Sequence, residues 1–213
     1  MGKMDFKKFF LILICLSAIA GLILNLYVAL TNPDVVYNAP TITLNFFSYF
    51  TIQSNILVLL VSGSWLFNKS IFGKYEKVFM LGALIDITLT FIIVQLILSK
   101  LHTLTGLTLF ADNLVHVITP ILFVGYWLFV QAKKNLSFKN VIYWGVIYSP
   151  LYVAYTLIRG PILTPNWYPY PFIDATLLSY GQIAVNVVGL ILVFFIIGGV
   201  FVLINNMMLG KEK

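Results

Sequence analysis

The sequence predicts an all-α integral membrane protein, a single bundle of six transmembrane helices with its N and C termini both on the cytoplasmic side. Three observations predict it. Of 213 residues, 61% are hydrophobic and 9% charged, whereas a soluble domain carries about 25% charged residues. Apolar segments long enough to span a bilayer, about 20 residues each, recur six times. The basic residues alternate across these segments. Lys3, Lys7 and Lys8, then Lys69, Lys74 and Lys77, then Lys133, Lys134 and Lys139, then Lys211 and Lys213 fall on one side, and of the 13 basic residues only Lys100 and Arg159 fall on the other. A lysine-rich side is cytoplasmic by the positive-inside rule.

The first segment, 9–30, follows Lys3, Lys7 and Lys8 and imitates a secretory signal. Its apolar run of about 22 residues exceeds the 7 to 15 of a cleavable signal and is long enough to span, so it reads as a helix. The second, third and fourth segments, 44–67, 78–98 and 113–130, are bounded by charges or turn formers. The fifth, 141–158, contains Pro150 and meets Arg159-Gly160-Pro161, so a kink and then a stop are expected. The sixth, 178–205, is the longest and is expected to tilt. On the outer side, Arg159 to Thr176 interleaves Pro161, Pro165, Pro169 and Pro171 with Trp167, Tyr168 and Tyr170, a composition suited to an interfacial lid. The whole of 1–213 reads as one transmembrane domain in a plasma membrane.

Several function classes drop out. The net charge of +6 is distributed as topology signals and forms no basic helix face, so no nucleic-acid partner is expected. A lone Cys15 excludes an intrachain disulfide or a CxxC site. No phosphate-binding glycine loop occurs. Two histidines, His102 and His116, exclude a three-histidine zinc site; a mixed site with Asp112, His116 and another carboxylate stays formally open. No cofactor and no metal are expected.

Polar side chains in a bilayer are costly, so their placement is informative. In the second segment Ser48, Thr51, Asn55 and Ser62 share one face, with Ser54 beside it. In the fourth, Asp112, His116, Thr119 and Pro120 share a face, and the four-residue step brings the Asp112 carboxylate within reach of the His116 ring. Thr51 and His116 both lie on the order of 6 to 10 Å below the outer boundary and can be level. Asp86, roughly 18 to 20 Å below the outer end of its helix, sits near the midplane. It reads equally as a proton-relay or ion-coupling carboxylate and as a protonated structural Asp bonded to Thr90 or a neighbouring helix.

A hydroxyl beside an imidazole is the minimal nucleophile and general base. Thr51 and His116 are the candidate pair, with Asp112 to orient the ring and Asn55 or Arg159 as oxyanion donors. Ser48, Ser54, Gln95, Thr119, Tyr168, Tyr170 and Asn186 are candidates to line the pocket. The bland reading stands beside this one: a membrane threonine commonly bonds its own i−4 carbonyl, and a helix histidine is often an interhelical hydrogen-bond partner. A binding or transport subunit for a small amphiphilic ligand would use the same polar faces.

The segments Phe46-Phe47-Ser48-Tyr49-Phe50-Thr51-Ile52-Gln53-Ser54-Asn55, Asp112-Asn113-Leu114-Val115-His116 with Pro120, Arg159-Gly160 and Tyr168-Pro169-Tyr170-Pro171-Phe172 resemble the androgen-induced and androgen-dependent family of six-span membrane proteins, in a bacterial form. The likeness runs from about Leu44 to the start of the sixth helix. Animal members of that family are intramembrane threonine hydrolases of fatty acid esters of hydroxy fatty acids. The resemblance implies the same fold, Thr51 as nucleophile, His116 as its partner, membrane lipids as surroundings and a long-chain acyl ester as substrate. It leaves the oligomeric state undefined.

Overall fold

The computed structural model describes residues 5–31, 38–100, 103–131 and 135–211. His102, Asp34, Lys3, Lys133, Lys134 and Lys213 lie outside them. The described residues are predominantly helical, without strands. They form two compact units, residues 1–134 and 135–213.

The first unit holds α1 (Phe6–Thr31), α2 (Ala39–Ser48), α3 (Phe50–Leu66), α4 (Glu76–Leu96), α5 (Gly106–Asn113) and α6 (Thr119–Phe129). The second segment of the sequence, expected as one helix over 44–67, is two helices meeting at 73°. The chain enters α2 earlier than hydropathy suggests, because the Asn38 side chain accepts from the Thr41 N–H at 3.0 Å and Pro40 sits in the first turn. The break falls at Tyr49, whose backbone is extended (φ −69°, ψ 129°). Neither Gly nor Pro stands there; side chains make the corner. Gln53 Nε2 donates to the Phe47 carbonyl at 2.9 Å, Ser48 Oγ to the Leu44 carbonyl at 2.7 Å, and the Ile52 and Gln53 N–H groups both turn to the Tyr49 carbonyl.

The fourth segment begins at Gly106, earlier than 113, and contains a π turn over Leu114–Ile118 between α5 and α6. Pro120 explains it. Without an N–H, Pro120 cannot bond the His116 carbonyl, and its ring crowds that group. The ladder widens instead, and the Thr119 N–H donates to Leu114 O, five residues back.

α1 packs on α3, α5, α6 and the π turn along a stripe of small and polar residues. Ser17 Oγ meets Thr119 Oγ1 at 2.8 Å. A Cβ on Gly21 would stand 2.7 Å from Val115 Cγ1. Asn25 Nδ2 reaches the Ala111 carbonyl at 2.7 Å. Four residues forward in α1 match four residues back in its partner, the register of closely packed antiparallel helices.

The second unit holds α7 (Phe138–Arg159) and α8 (Tyr180–Lys211) with the Pro- and Tyr-rich connection between them. Ser137 and Asn140 form a capping box at the start of α7. Ser179 and Gln182 do the same for α8: the Ser179 N–H donates to Gln182 Oε1 at 2.9 Å and the Gln182 N–H to Ser179 Oγ at 3.3 Å. α7 runs through Pro150 as one helix over the full 22 residues.

Among the described residues, five helical segments are long and apolar enough to cross a membrane, and six if the bent α2–α3 pair counts as one span. Their outward faces are apolar too. In α8, Val185, Val188, Leu192, Ile196 and Leu203 are all exposed, a continuous apolar surface that a water-facing helix would not carry. The fold class is therefore an all-helical, multi-pass membrane protein.

Candidate active site

The first unit brings the sequence-predicted pair together. His116 Nε2 lies 3.1 Å from Thr51 Oγ1, and Asp112 Oδ1 lies 2.8 Å from the other ring nitrogen, Nδ1. The carboxylate contact is short but off the line of the ring N–H, so it acts as a charge contact and not as an aligned hydrogen bond. A carboxylate beside Nδ1 favours the proton on that nitrogen, which leaves the Nε2 lone pair facing the hydroxyl. Thr51 is 6% exposed, and the His116 and Asp112 side chains are 13% and 27% exposed. The line from Asp112 through His116 to Thr51 thus runs from a partly open rim into a buried interior.

The two structural irregularities put the pair in place. The break at Tyr49 makes Thr51 a first-turn residue of α3, at the positive end of the helix dipole, where a developing alkoxide is favoured. The π turn carries His116. It also orphans one carbonyl, Val115 O, because the Thr119 N–H has gone to Leu114 O and Pro120 has no N–H to offer. Asn55 supplies the missing donor. Its Nδ2 gives one hydrogen to Val115 O at 3.0 Å and the other to Thr51 O at 2.8 Å. One buried amide therefore bonds the peptide of the candidate nucleophile to the peptide next to the candidate base.

This changes what the candidate residues do. Asn55, expected among the oxyanion donors, has both amide hydrogens committed to carbonyls and acts as a clamp. Ser54 Oγ donates to Thr51 O at 2.9 Å and meets Thr90 Oγ1 at 3.1 Å, tying α3 to α4. Thr119 faces Ser17 on α1. Ser48 bonds back to its own helix, and Gln95 is exposed near the end of α4. Asp86 is wholly buried. Among the described residues, no three His, Cys, Asp or Glu side chains gather in one place.

Arg159, Tyr168, Tyr170 and Asn186 belong to the second unit. The Arg159 guanidinium lies over the Trp167 ring, 5.4 Å from its centroid. Tyr168 packs on the α-carbon of Gly160, where any side chain would collide with the ring. Its burial, with Tyr180 and Asp174 adding to the effect, pushes the phenol above its ordinary pKa. Tyr170 stacks on Phe172 at 5.1 Å, and Asn186 Nδ2 donates to Phe172 O at 2.9 Å. These contacts order the connection onto the start of α8.

Sequence reasoning missed Asn25. It is the sole amide in an otherwise apolar first segment, a signal in itself. Its Nδ2 bonds Gly21 O at 2.8 Å and Ala111 O at 2.7 Å, bracing the chain just before the π turn as Asn55 braces it within.

No family model, curated protein or solved structure matches this chain. What fold and site define together is a class: a multi-pass helical membrane protein with a hydroxyl–imidazole–carboxylate line inside one helical unit.

Proposed function

We propose that the protein is an intramembrane lipid-ester hydrolase acting on fatty acid esters, those of hydroxy fatty acids among them. In this reading it is a six-span bacterial member of the androgen-induced and androgen-dependent family, in the plasma membrane with both termini cytoplasmic. The observation that carries the proposal is the 3.1 Å approach of His116 Nε2 to Thr51 Oγ1. The neutral imidazole takes the Thr51 proton as Oγ1 bonds the acyl carbon, then returns it to the departing alkoxide, leaving an acyl-threonine. Water attacks that ester in turn, losing its proton to Nε2, and the proton passes to Thr51 Oγ1 as the fatty acid leaves. Asp112 stabilises the imidazolium formed in each half, and the positive end of α3 lies where negative charge develops.

The test is hydrolysis of long-chain esters by purified protein in nanodiscs. Thr51→Ala is expected to fall to the uncatalysed background and His116→Ala by about 10²- to 10⁴-fold. Retained hydrolysis in both variants overturns the proposal. Mass spectrometry of the purified protein discriminates the binding or transport reading. An acyl adduct on Thr51 or free fatty acid supports hydrolysis, and an intact stoichiometric amphiphile supports carriage.

A further inference from the structure

Thr51 stands in the first turn of α3, just after the break at Tyr49, where no preceding turn of the same helix steadies the backbone. Its main-chain carbonyl is held by two side chains: Ser54 Oγ donates to Thr51 O at 2.9 Å and Asn55 Nδ2 at 2.8 Å. Both donors belong to α3, so by themselves they fix the Thr51 peptide only relative to its own helix. The second contact of each donor ties it to a neighbour. Asn55 reaches the π turn through Val115 O, and Ser54 reaches α4 through Thr90 Oγ1, 3.1 Å away.

Counting hydrogens gives the direction of the tie to α4. A serine hydroxyl carries one, and that of Ser54 goes to Thr51 O, so Thr90 donates to Ser54. The relay runs one way, from Thr90 through Ser54 to Thr51, and each bond polarises the next. Ser54 is wholly buried and Thr90 is 4% exposed, so water does not compete for either bond. Thr90 also departs from a habit seen elsewhere in the chain. Ser48, Thr31 and Thr156 each donate to the carbonyl four residues back in their own helix, the common arrangement for a hydroxyl in a membrane helix. Thr90 turns to another helix.

His116 Nε2 meets Thr51 Oγ1 at 3.1 Å from the π turn, the side that Asn55 clamps. With that clamp alone the first turn of α3 would be free to rotate about it, and a displacement of about 1 Å is enough to take a hydroxyl out of hydrogen-bond reach. We infer that Thr90 is a positioning residue for Thr51: acting through Ser54, it fixes the rotation of the first turn of α3 and thereby holds the Thr51 hydroxyl against His116. The catalytic consequence rests on the hydrolase reading; the positional one does not.

The experiment pairs ester hydrolysis with ¹⁵N NMR of the His116 ring in the full-length, ¹⁵N-histidine-labelled protein in nanodiscs. His116→Ala assigns the resonance, and Thr51→Ala marks Nε2 without its hydroxyl partner. Thr90→Val keeps the side-chain shape and removes the hydroxyl. It is expected to lower kcat about 10-fold with KM unchanged and to move the Nε2 resonance toward its Thr51→Ala position. Thr90→Ser, which returns the hydroxyl, is expected to restore both. Ser54→Ala is expected to match Thr90→Val, and the double variant to fall no further, because a relay fails as a unit. An Nε2 resonance unmoved in Thr90→Val and Ser54→Ala overturns the relay whatever kcat does, as do additive losses in the double variant or a Thr90→Ser protein no better than Thr90→Val. A moved resonance with wild-type kcat overturns its weight in catalysis. If the wild-type protein hydrolyses no ester, the hydrolase reading falls and the resonance alone decides the relay.

Discussion

The two units of this protein hold their helices together by different means. In the first, short polar side chains reach main-chain carbonyls across helix boundaries: Asn25 to Ala111, Asn55 to Val115, with Ser17 on Thr119 and Ser54 on Thr90. In the second, the two helices meet through rings: Phe138 of α7 and Phe195 of α8 lie 6.1 Å apart and the Phe194 ring of α8 packs on Gly145 of α7, while the side-chain amides Asn186 and Asn206 of α8 reach carbonyls of the connecting segments, Phe172 O and Leu136 O. A hydrogen bond to a chosen carbonyl specifies rotation and register within a few tenths of an ångström. Ring packing tolerates small slides. The hydroxyl–imidazole contact, which needs that accuracy, occurs in the hydrogen-bonded unit.

Asn55→Leu is the sharpest way to break this contrast, since it removes both donors at similar volume and leaves the Val115 carbonyl without its partner. The expected outcome is about 1 to 2 kcal/mol of destabilisation, read by detergent unfolding. Ester hydrolysis is expected to fall about 10²-fold as His116 shifts from Thr51. Full activity in this variant would show that the π turn holds His116 without the clamp.

Gly21→Ala attacks the same unit through packing. Its Cβ would lie 2.7 Å from Val115 Cγ1 and 3.1 Å from Leu114 Cβ, atoms held by the π turn, so a loss of about 1 to 3 kcal/mol is expected. Gly145→Ala in the second unit makes a contact as close, 2.8 Å to Phe194 Cε1, but against a ring edge that can turn away. A loss below about 1 kcal/mol, measured the same way, is expected there. The smallest effect falls at Gly189, where an added Cβ meets nothing within 4 Å. Gly189→Ala is expected to be neutral or to stabilise α8 by less than about 1 kcal/mol. If Gly145→Ala costs as much as Gly21→Ala, the two units do not differ in tolerance.

Much of the candidate site was legible because membrane helices make polar residues conspicuous. The inward face containing Thr51, Asn55 and Ser62 is buried as its spacing implies, and the Asp112–His116 step gives the 2.8 Å contact expected at i,i+4. The role of Asn55 was not legible. An amide three to four residues from a nucleophile looks like an oxyanion donor until the partner carbonyls are known, and one of those carbonyls is orphaned only by the π turn. Pro120 announced a disturbed ladder, but not whether the helix would kink or widen.

What the sequence by itself determined was the class: apolar segments of spanning length, their limits to within a few residues except at the starts of the second and fourth and at the end of the sixth, which runs on to Lys211, and the polar residues that must turn inward. These follow from composition and from the 3.6-residue period, which act locally along each helix. Tertiary structure alone decided the corner at Tyr49, the widening at Leu114–Ile118, and the two asparagines that stabilise the second of these. The reason is physical. Hydropathy records how much apolar surface a segment has, whereas a break in a helix persists only if other groups satisfy the carbonyls and amides it releases. Those groups come from segments distant in sequence.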